Sequence, residues 1–412
     1  MADTIALQLT DLITDAVGDV TRIRHDLHAH PEVLFTEQRT SQVVRKELTR
    51  LGITHRTGMG GREPNTGYGV VAHIPASVDR PGDCIGLRAD MDALPIEEAT
   101  DLPYKSTTPG SMHACGHDGH TAILMGVARV LTQLEHRPNP VTLVFQPAEE
   151  GGGGGDKMCR DGALDGDATN PSNPDGFGPP VSRMYGLHGW PDLPLGTVST
   201  KPGPLLAATD TFDITIRGVQ GHAAYPHLCV DPVVAASHII SMAQSIVSRT
   251  TRPTDAVVVT FGSVHAGSAY NIIPETCSLK GTVRTLDMDT RASTKVRFLE
   301  LVERGAEAMG CRAQIQWNDG YPVTRNDESE AARVAQTAAD AGFVNEYRLF
   351  PEPGMGGEDF SYYALRVPAC FFLVGLSEPG REPYPGLHTP GFDFNDKAIP
   401  VGMEMMCRLA LS

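Results

Sequence analysis

Apolar positions along this chain recur at helical spacing in some stretches and in short runs or strict alternation in others. The changes between these rhythms divide the sequence. Residues 4–52 read as helix, with Val43, Val44, Leu48 and Leu51 on one face of Thr40–Leu51. Short apolar runs between turn residues follow at Gly69–Ile74, Cys84–Leu87 and Val141–Phe145, and a helical stretch, His120–Leu134, separates the last two. Strands separated by helices predict a mostly parallel or mixed sheet covered by helices.

A second rhythm starts near residue 205. Thr211–Arg217 alternates strictly and places Phe212, Ile214 and Ile216 on one face. Asp231–Val247 reads as a helix with Asp231 as N-cap and Pro232 at its first position. Strands at Ala256–Val264 and Thr276–Arg284, a helix at Thr290–Met309 and a strand at Arg312–Trp317 complete the order. That β-α-β-β-α-β sequence is the split βαβ, ferredoxin-like arrangement. From Asn326 the α/β rhythm returns, with a helix to Ala341, a strand at Cys370–Val374 and a helix over 396–410. The fold class predicted is therefore α/β in two domains: residues 1–204 with 319–412 around a central mixed sheet, and 205–318 as an insertion. The alternating strand Thr211–Arg217 is expected at a sheet edge, where a second copy could extend it.

Length agrees with more than one core, since 412 residues exceed an ordinary single domain. A net charge of −16 argues against nucleic acid or an anionic membrane as partner, because both call for basic patches. The first residues, MADTIALQLTDLITDAV, carry acids and no basic n-region, and no apolar run reaches membrane-spanning length. The eight cysteines are scattered, which predicts reduced thiols and a cytoplasmic location.

The chemistry concentrates in Met112–His120, which holds a thiol, three imidazoles and a carboxylate. Cys and His hold zinc-like metals, and Asp commonly orients a ligating His. Cys115 and His117 stand two apart on an irregular segment, so both can face one centre. Glu149 and Glu150 follow an apolar strand, and adjacent carboxylates there favour a nearby cation; one can ligate while the other takes a proton from water. His188, at the end of another short apolar strand, and His388 are further candidate ligands, and Asp90 and Asp92 end a strand where they can orient a ligand from behind. Such groups at several strand ends are the pattern of a ligand crevice. In the insertion, His222, Asn271 and Arg284 are either donors to an oxyanion and a clamp on a substrate carboxylate, or parts of loop structure. The glycine run Gly151–Gly155 lacks the Gly-Lys-Ser/Thr end of a phosphate loop, and the Pro-, Asn- and Gly-rich stretch 170–181 reads as a surface excursion.

Taken in order, these segments resemble the M20 metallopeptidase family, in the amidohydrolase branch of hippurate hydrolases, N-acyl-amino-acid aminoacylases and plant auxin-conjugate hydrolases. The resemblance runs nearly end to end. It takes in Arg24–Glu32, Arg88–Pro95, His113–His120, Gln146–Gly151, Gly186–His188, Gly221–Ala223, Tyr270–Pro274, Gly357–Phe360 and Leu387–Pro390. It implies a catalytic domain with two divalent metal ions per subunit, Zn or Mn with Ni or Co as alternatives, and an inserted dimerisation or lid domain. Cys115, His117, Glu150, His188 and His388 would be the ligands, Cys115 bridging, and Glu149 the general base. His222 and Asn271 would support the oxyanion, with His222 acting in the neighbouring subunit's site of a homodimer or tetramer. Other branches carry a His-x-Asp motif where this chain has Arg88-Ala89-Asp90. The activity implied is cleavage of N-acyl amino acids, a small-molecule substrate, with no nucleic acid or membrane partner. A metallo-dipeptidase or carboxypeptidase, an N-acetyl-diaminopimelate-type deacetylase and a non-catalytic metal-dependent binding protein are the alternatives.

Overall fold

A computed structural model describes residues 2–166, 177–378, 380 and 383–412. The part of the 170–181 excursion up to residue 176 lies outside the described residues. The chain separates into two compact units, one of residues 1–205, 325–352 and 359–412, the other of 206–324 and 353–358. The second unit therefore runs six residues past the expected boundary at 318 and takes back a short later segment. Hydrogen bonds explain both additions: Thr209 N donates to Tyr321 O at 2.9 Å, and Ala207 N to Gly356 O at 2.9 Å.

The larger unit is built on an eight-stranded mixed sheet. Its order is Thr54–Met59, Gly69–Ile74, Val141–Gln146, Cys84–Asp90, Val181–Pro194, Ala369–Ser377, Thr197–Thr200, Glu346–Leu349. The four strands from Val141–Gln146 to Ala369–Ser377 run parallel to one another. Gly69–Ile74, Cys84–Asp90, Val141–Gln146 and Ala369–Ser377 are buried at every position, as strands covered on both faces must be. That is why they read as continuous apolar runs. The strands at Thr54–Met59, Thr197–Thr200 and Glu346–Leu349 have no such run and escaped the pattern. Helix His117–Gln133 is almost wholly buried and packs against Ala2–His28 and Ile399–Leu411.

Two expectations for this unit are corrected. Residues 4–52 are not one helix; helices Ala2–His28 and Gln38–Arg50 are separated by an irregular segment that contains Pro31. Proline lacks the N–H a helix interior needs and restricts the residue before it. His188 does not end its strand but lies within Val181–Pro194.

The smaller unit has the β-α-β-β-α-β order, with helices Pro232–Ser245 and Met288–Ala308 and a four-stranded antiparallel sheet. The Asp231 side chain caps the first helix by accepting from Val233 N and Val234 N. The sheet order is Val257–Ala266, Thr276–Thr285, Ala208–Arg217, Arg312–Asp319. The alternating strand is therefore interior, hydrogen-bonded on both sides, and the edges are Val257–Ala266 and Arg312–Asp319. Alternation reports one buried face and says nothing about neighbours within the sheet. Among the described residues no helix is long and apolar enough to cross a membrane.

Candidate metal centre

The site of the larger unit gathers where the four parallel strands end or pass. Asp90 closes Cys84–Asp90, Glu149 and Glu150 follow Val141–Gln146, His188 lies in Val181–Pro194, and His388 follows Ala369–Ser377. Between Cys115 and His117, Gly116 takes φ 88° and turns the chain into the helix that starts at His117. A Cβ there would also stand 3.0 Å from the Phe394 ring. Glycine is thus required between these two side chains.

The five expected ligands come together as two trios that share Cys115: Cys115, His117 and His188, and Cys115, Glu150 and His388. In each trio the donor atoms lie within 4.8 Å of one another. A third trio, His117, Glu149 and Glu150, brings Glu149 to the same place. Cys115 Sγ is 3.3 Å from His188 Nε2, and His388 Nε2 is 3.2 Å from Glu150 Oε1.

Each histidine in the first trio is held from behind. His117 Nδ1 donates to Asp92 O at 2.8 Å, and His188 Nδ1 donates to Gly189 O at 2.7 Å. A carbonyl only accepts, so both Nδ1 atoms carry protons and both Nε2 atoms remain for the site. His117 Nε2 is buried and meets no hydrogen-bond partner. His120 is tucked behind the ligands: Nδ1 faces Asp90 Oδ1 at 2.7 Å, and Nε2 accepts Gly189 N at 2.9 Å. Asp90 also accepts from the buried Arg88 Nη1 at 2.7 Å, so it orients rather than sits idle at the strand end.

The Glu149–Glu150 pair is fixed through its backbone. Asp92 Oδ1 accepts Glu149 N and Oδ2 accepts Glu150 N, both at 2.9 Å. Two non-glycine residues at the site have left-handed backbones, Ala148 at φ 55° and His388 at φ 60°. Such conformations cost about 1–3 kcal/mol each and persist only where surrounding contacts impose them. His388 N donates to Ala114 O at 2.8 Å, which is one such contact.

The electrostatics ask for a cation. Burial and then the Glu150 carboxylate push the Cys115 thiol up. Burial and His120 hold His188 well below the usual imidazole range, so it stays neutral, as a ligand must. Burial opposes the charge on His117, yet Asp90 and Cys115 outweigh it and draw a proton to the ring. His388 is pushed up to about 10 by its hydrogen bonds to Cys115 and Glu150. The buried His117 Nε2 without a hydrogen-bond partner and the clustered S, N and O donors fit divalent ions, which Cys115, His117, Glu150, His188 and His388 would hold.

His222, Asn271 and Arg284 belong to the smaller unit. His222 lies in a two-residue strand opposite Ile272, and Asn271 O accepts Ala223 N at 3.0 Å, so the fold brings His222 and Asn271 together. His222 Nδ1 accepts Ala224 N at 3.0 Å, which leaves the neutral ring's proton on Nε2 as a donor. Arg284 is half-buried in Thr276–Thr285, opposite Thr209 and Val258, and burial lowers its pKa.

One supporting residue, in the Gly357–Phe360 segment, was given no role by the sequence. Asp359 accepts from Arg88 Nη2 at 3.0 Å, from Gln146 Nε2 at 2.7 Å and from Gly155 N at 2.8 Å, and so ties the loop after Glu150 to two strands. The glycine run is a contact surface, not a phosphate cradle: a Cβ on Gly155 would collide with the Asp359 backbone.

A buried cluster of thiol, imidazole and carboxylate donors where parallel strands end is the arrangement of a metal-dependent hydrolase. The comparisons with known proteins agree. The model of peptidase family M20/M25/M40 matches residues 86–412, and the chain belongs to that family. It is 39% identical over 379 residues to the N-acetyl-L-cysteine deacetylase of Bacillus subtilis, covering 92% of this chain and 84% of that protein. It is 35% identical over 398 residues to the IAA-amino acid hydrolase ILR1-like 4 of Arabidopsis thaliana, covering 94% and 84%. Among solved structures it is similar to the Bacillus subtilis YXEP protein, described as a dinuclear metal binding peptidase from the M20 family. The TM-score is 0.79 and the identity 32%, over 97% of this chain and 98% of that one. The chain is therefore an amide-hydrolysing enzyme of this family.

Proposed function

We propose that this enzyme cleaves the amide bond of N-acyl amino acids, releasing a carboxylic acid and a free amino acid. The observation that carries the reading is the pair of trios sharing Cys115, with Glu149 within reach of both His117 and Glu150. Cys115, His117, Glu150, His188 and His388 would hold two divalent ions, and a thiolate with imidazoles favours Zn over Mn, Ni or Co. Ions held there would supply a Lewis acid for the amide carbonyl and lower the pKa of water toward neutrality.

The chain's residues do the rest. Glu149 takes the proton from the attacking water, holds it through the tetrahedral stage and delivers it to the leaving amine nitrogen. His222 Nε2–H and the Asn271 side chain donate to the oxygen on which negative charge develops. Arg284 pairs with the carboxylate of the amino-acid half. The protein acts as a homodimer, and His222 of the partner subunit completes each site. The N-acetyl group named for the 39% identical relative supports a small acyl group; the auxin conjugate named for the plant relative supports a larger one.

The test is hydrolysis of acetyl, benzoyl, long-chain and indole-acetyl amino acids by chelator-stripped protein, with and without Zn²⁺ or Mn²⁺. Metal-restored release of amino acid is expected, and the best acyl group names the pocket. No release with any ion, despite tight binding of it, would favour the peptide-substrate or binding-protein reading. The partner role of His222 is tested by mixing His222→Ala with Glu149→Gln chains. Each mixed dimer then regains one intact site, and about a quarter of wild-type activity returns on random pairing. No recovery would place His222 in its own subunit's site.

A further inference from the structure

The segment between the first two helices lies against the metal centre. Val33 bridges Ala93, and Ala93 N donates to Glu32 O at 2.8 Å, just beyond Asp92. Two glutamates of this segment divide their work unusually. Glu32 caps the helix that follows: its Oε1 accepts Arg39 N at 2.9 Å and its Oε2 accepts Thr40 N at 2.8 Å. Glu37 holds the N-cap position of that helix but makes no side-chain cap bond. Its side chain, fully buried, reaches across to the turn that carries Glu149.

There Glu37 Oε1 accepts Ala148 N at 2.8 Å and Phe35 N at 2.9 Å. Phe35 and Ala148 are two of only four non-glycine residues with left-handed backbones among those described, at φ 62° and φ 55°. One oxygen therefore pins both strained residues. With Asp92 taking Glu149 N and Glu150 N, three consecutive amides, 148 to 150, end on two buried carboxyl groups. Successive amides held in this way fix the turn's direction, and with it the origin of both glutamate side chains.

We propose that Glu37 is a positioning residue for amide hydrolysis: by holding Ala148 left-handed, it sets where the Glu149 carboxylate stands beside Glu150. This rests on the reading of Glu149 as the general base. Glu37 acts through the backbone, by its bonds to Phe35 N and Ala148 N. Burial, and then the Asp92 carboxylate, push its carboxyl group up to about 8, so it is mostly neutral at pH 7. A neutral acid still offers a carbonyl oxygen to both amides. Glutamine does the same, and its NH₂ group would occupy the place of Oε2, which is buried without a hydrogen-bond partner.

The experiment compares Glu37→Ala, Glu37→Gln, Glu37→Asp and Glu149→Gln in the metal-loaded enzyme. It reads kcat, KM, bound metal, and amide hydrogen exchange in the peptide covering 146–152. Glu37→Ala is expected to lower kcat about 30-fold, since small misplacements of a catalytic group are that costly. KM and metal content should hold while exchange at 148–150 accelerates. Glu37→Gln should recover most of the lost kcat and the slow exchange. Glu37→Asp, a methylene too short to bridge both amides, should behave like Glu37→Ala and serves in its place if the alanine variant does not fold. Wild-type kcat and exchange in Glu37→Ala or Glu37→Asp would overturn the inference, as would a loss of kcat that only follows lost metal. Turnover retained by Glu149→Gln would instead overturn the base assignment. An inactive Glu149→Gln beside a fully active, slowly exchanging Glu37→Ala would remove the Glu37 role alone.

Discussion

The largely buried centre of the larger unit, with His388 its one exposed donor, and the exposed pair of the smaller one solve positioning in opposite ways. Around Cys115 nearly every group has a second contact that fixes it: Asp92 O behind His117, Gly189 O behind His188, Asp92 under the Glu149 and Glu150 amides. His222 and Asn271 are exposed, held by a short two-stranded ladder and local backbone bonds. Groups that must hold a cation are pre-set by packing, because a loose donor set loses affinity. On the proposed function, His222 and Asn271 meet only a substrate or another subunit, and such groups can wait on the surface until that contact forms.

The contrast is broken most sharply at Cys115. Replacing Cys115 with Ala removes the one donor common to both trios, and metal analysis should show loss of bound metal together with activity at background. Glu149→Gln should keep metal while kcat falls about 10³-fold, the range of a general base. His222→Ala should cost about 10²-fold in kcat, with metal content and melting temperature unchanged, because its ring lies in no buried core. Matching loss of metal in His222→Ala would erase the distinction drawn between the two regions. Asp92→Asn keeps the size but gives up one of two acceptors for the glutamate amides, and about 10-fold weaker metal binding is expected by titration.

The smallest effect concerns stability alone. Burial disfavours a charged His28, but Asp118 and Glu98 outweigh it and push its pKa up to about 9. A raised imidazole pKa contributes stability that is complete below about 6.5 and fades as pH climbs toward 9. Melting temperature should therefore decline over that window, by a share on the order of 3 kcal/mol at most. His28→Gln should be less stable at pH 6 and flatter with pH. An unchanged slope in that variant would assign the dependence to other groups.

Much of this was legible in the chain. Most fully buried strands announce themselves as apolar runs, Thr197–Thr200 with its three hydroxyls being an exception, and the insertion kept its β-α-β-β-α-β order because its helices and strands carry their own periodicity. Short or exposed strands such as Thr54–Met59 and Glu346–Leu349 carried no such signal, since their patterns report burial they do not have. The misread edge strand shows the same limit, as alternation records one buried face and not the neighbours on either side.

The chemistry of the site was likewise a property of residue types. A thiol and imidazoles crowded into Met112–His120, with paired carboxylates after an apolar strand, announce a metal and a base wherever the chain puts them. Which imidazole serves was decided only in three dimensions. His117 keeps an open Nε2, while His120, three residues on, spends both nitrogens on Asp90 and Gly189. The same holds for Glu37, whose reach to Ala148 depends on the break after Ala2–His28. Local sequence sets what a side chain can do, because that follows from its atoms and nearest neighbours. What it faces follows from strand order and packing between residues 90 or more positions apart, as Arg24 with Asp118 and Glu37 with Ala148 show, and no local window contains that information.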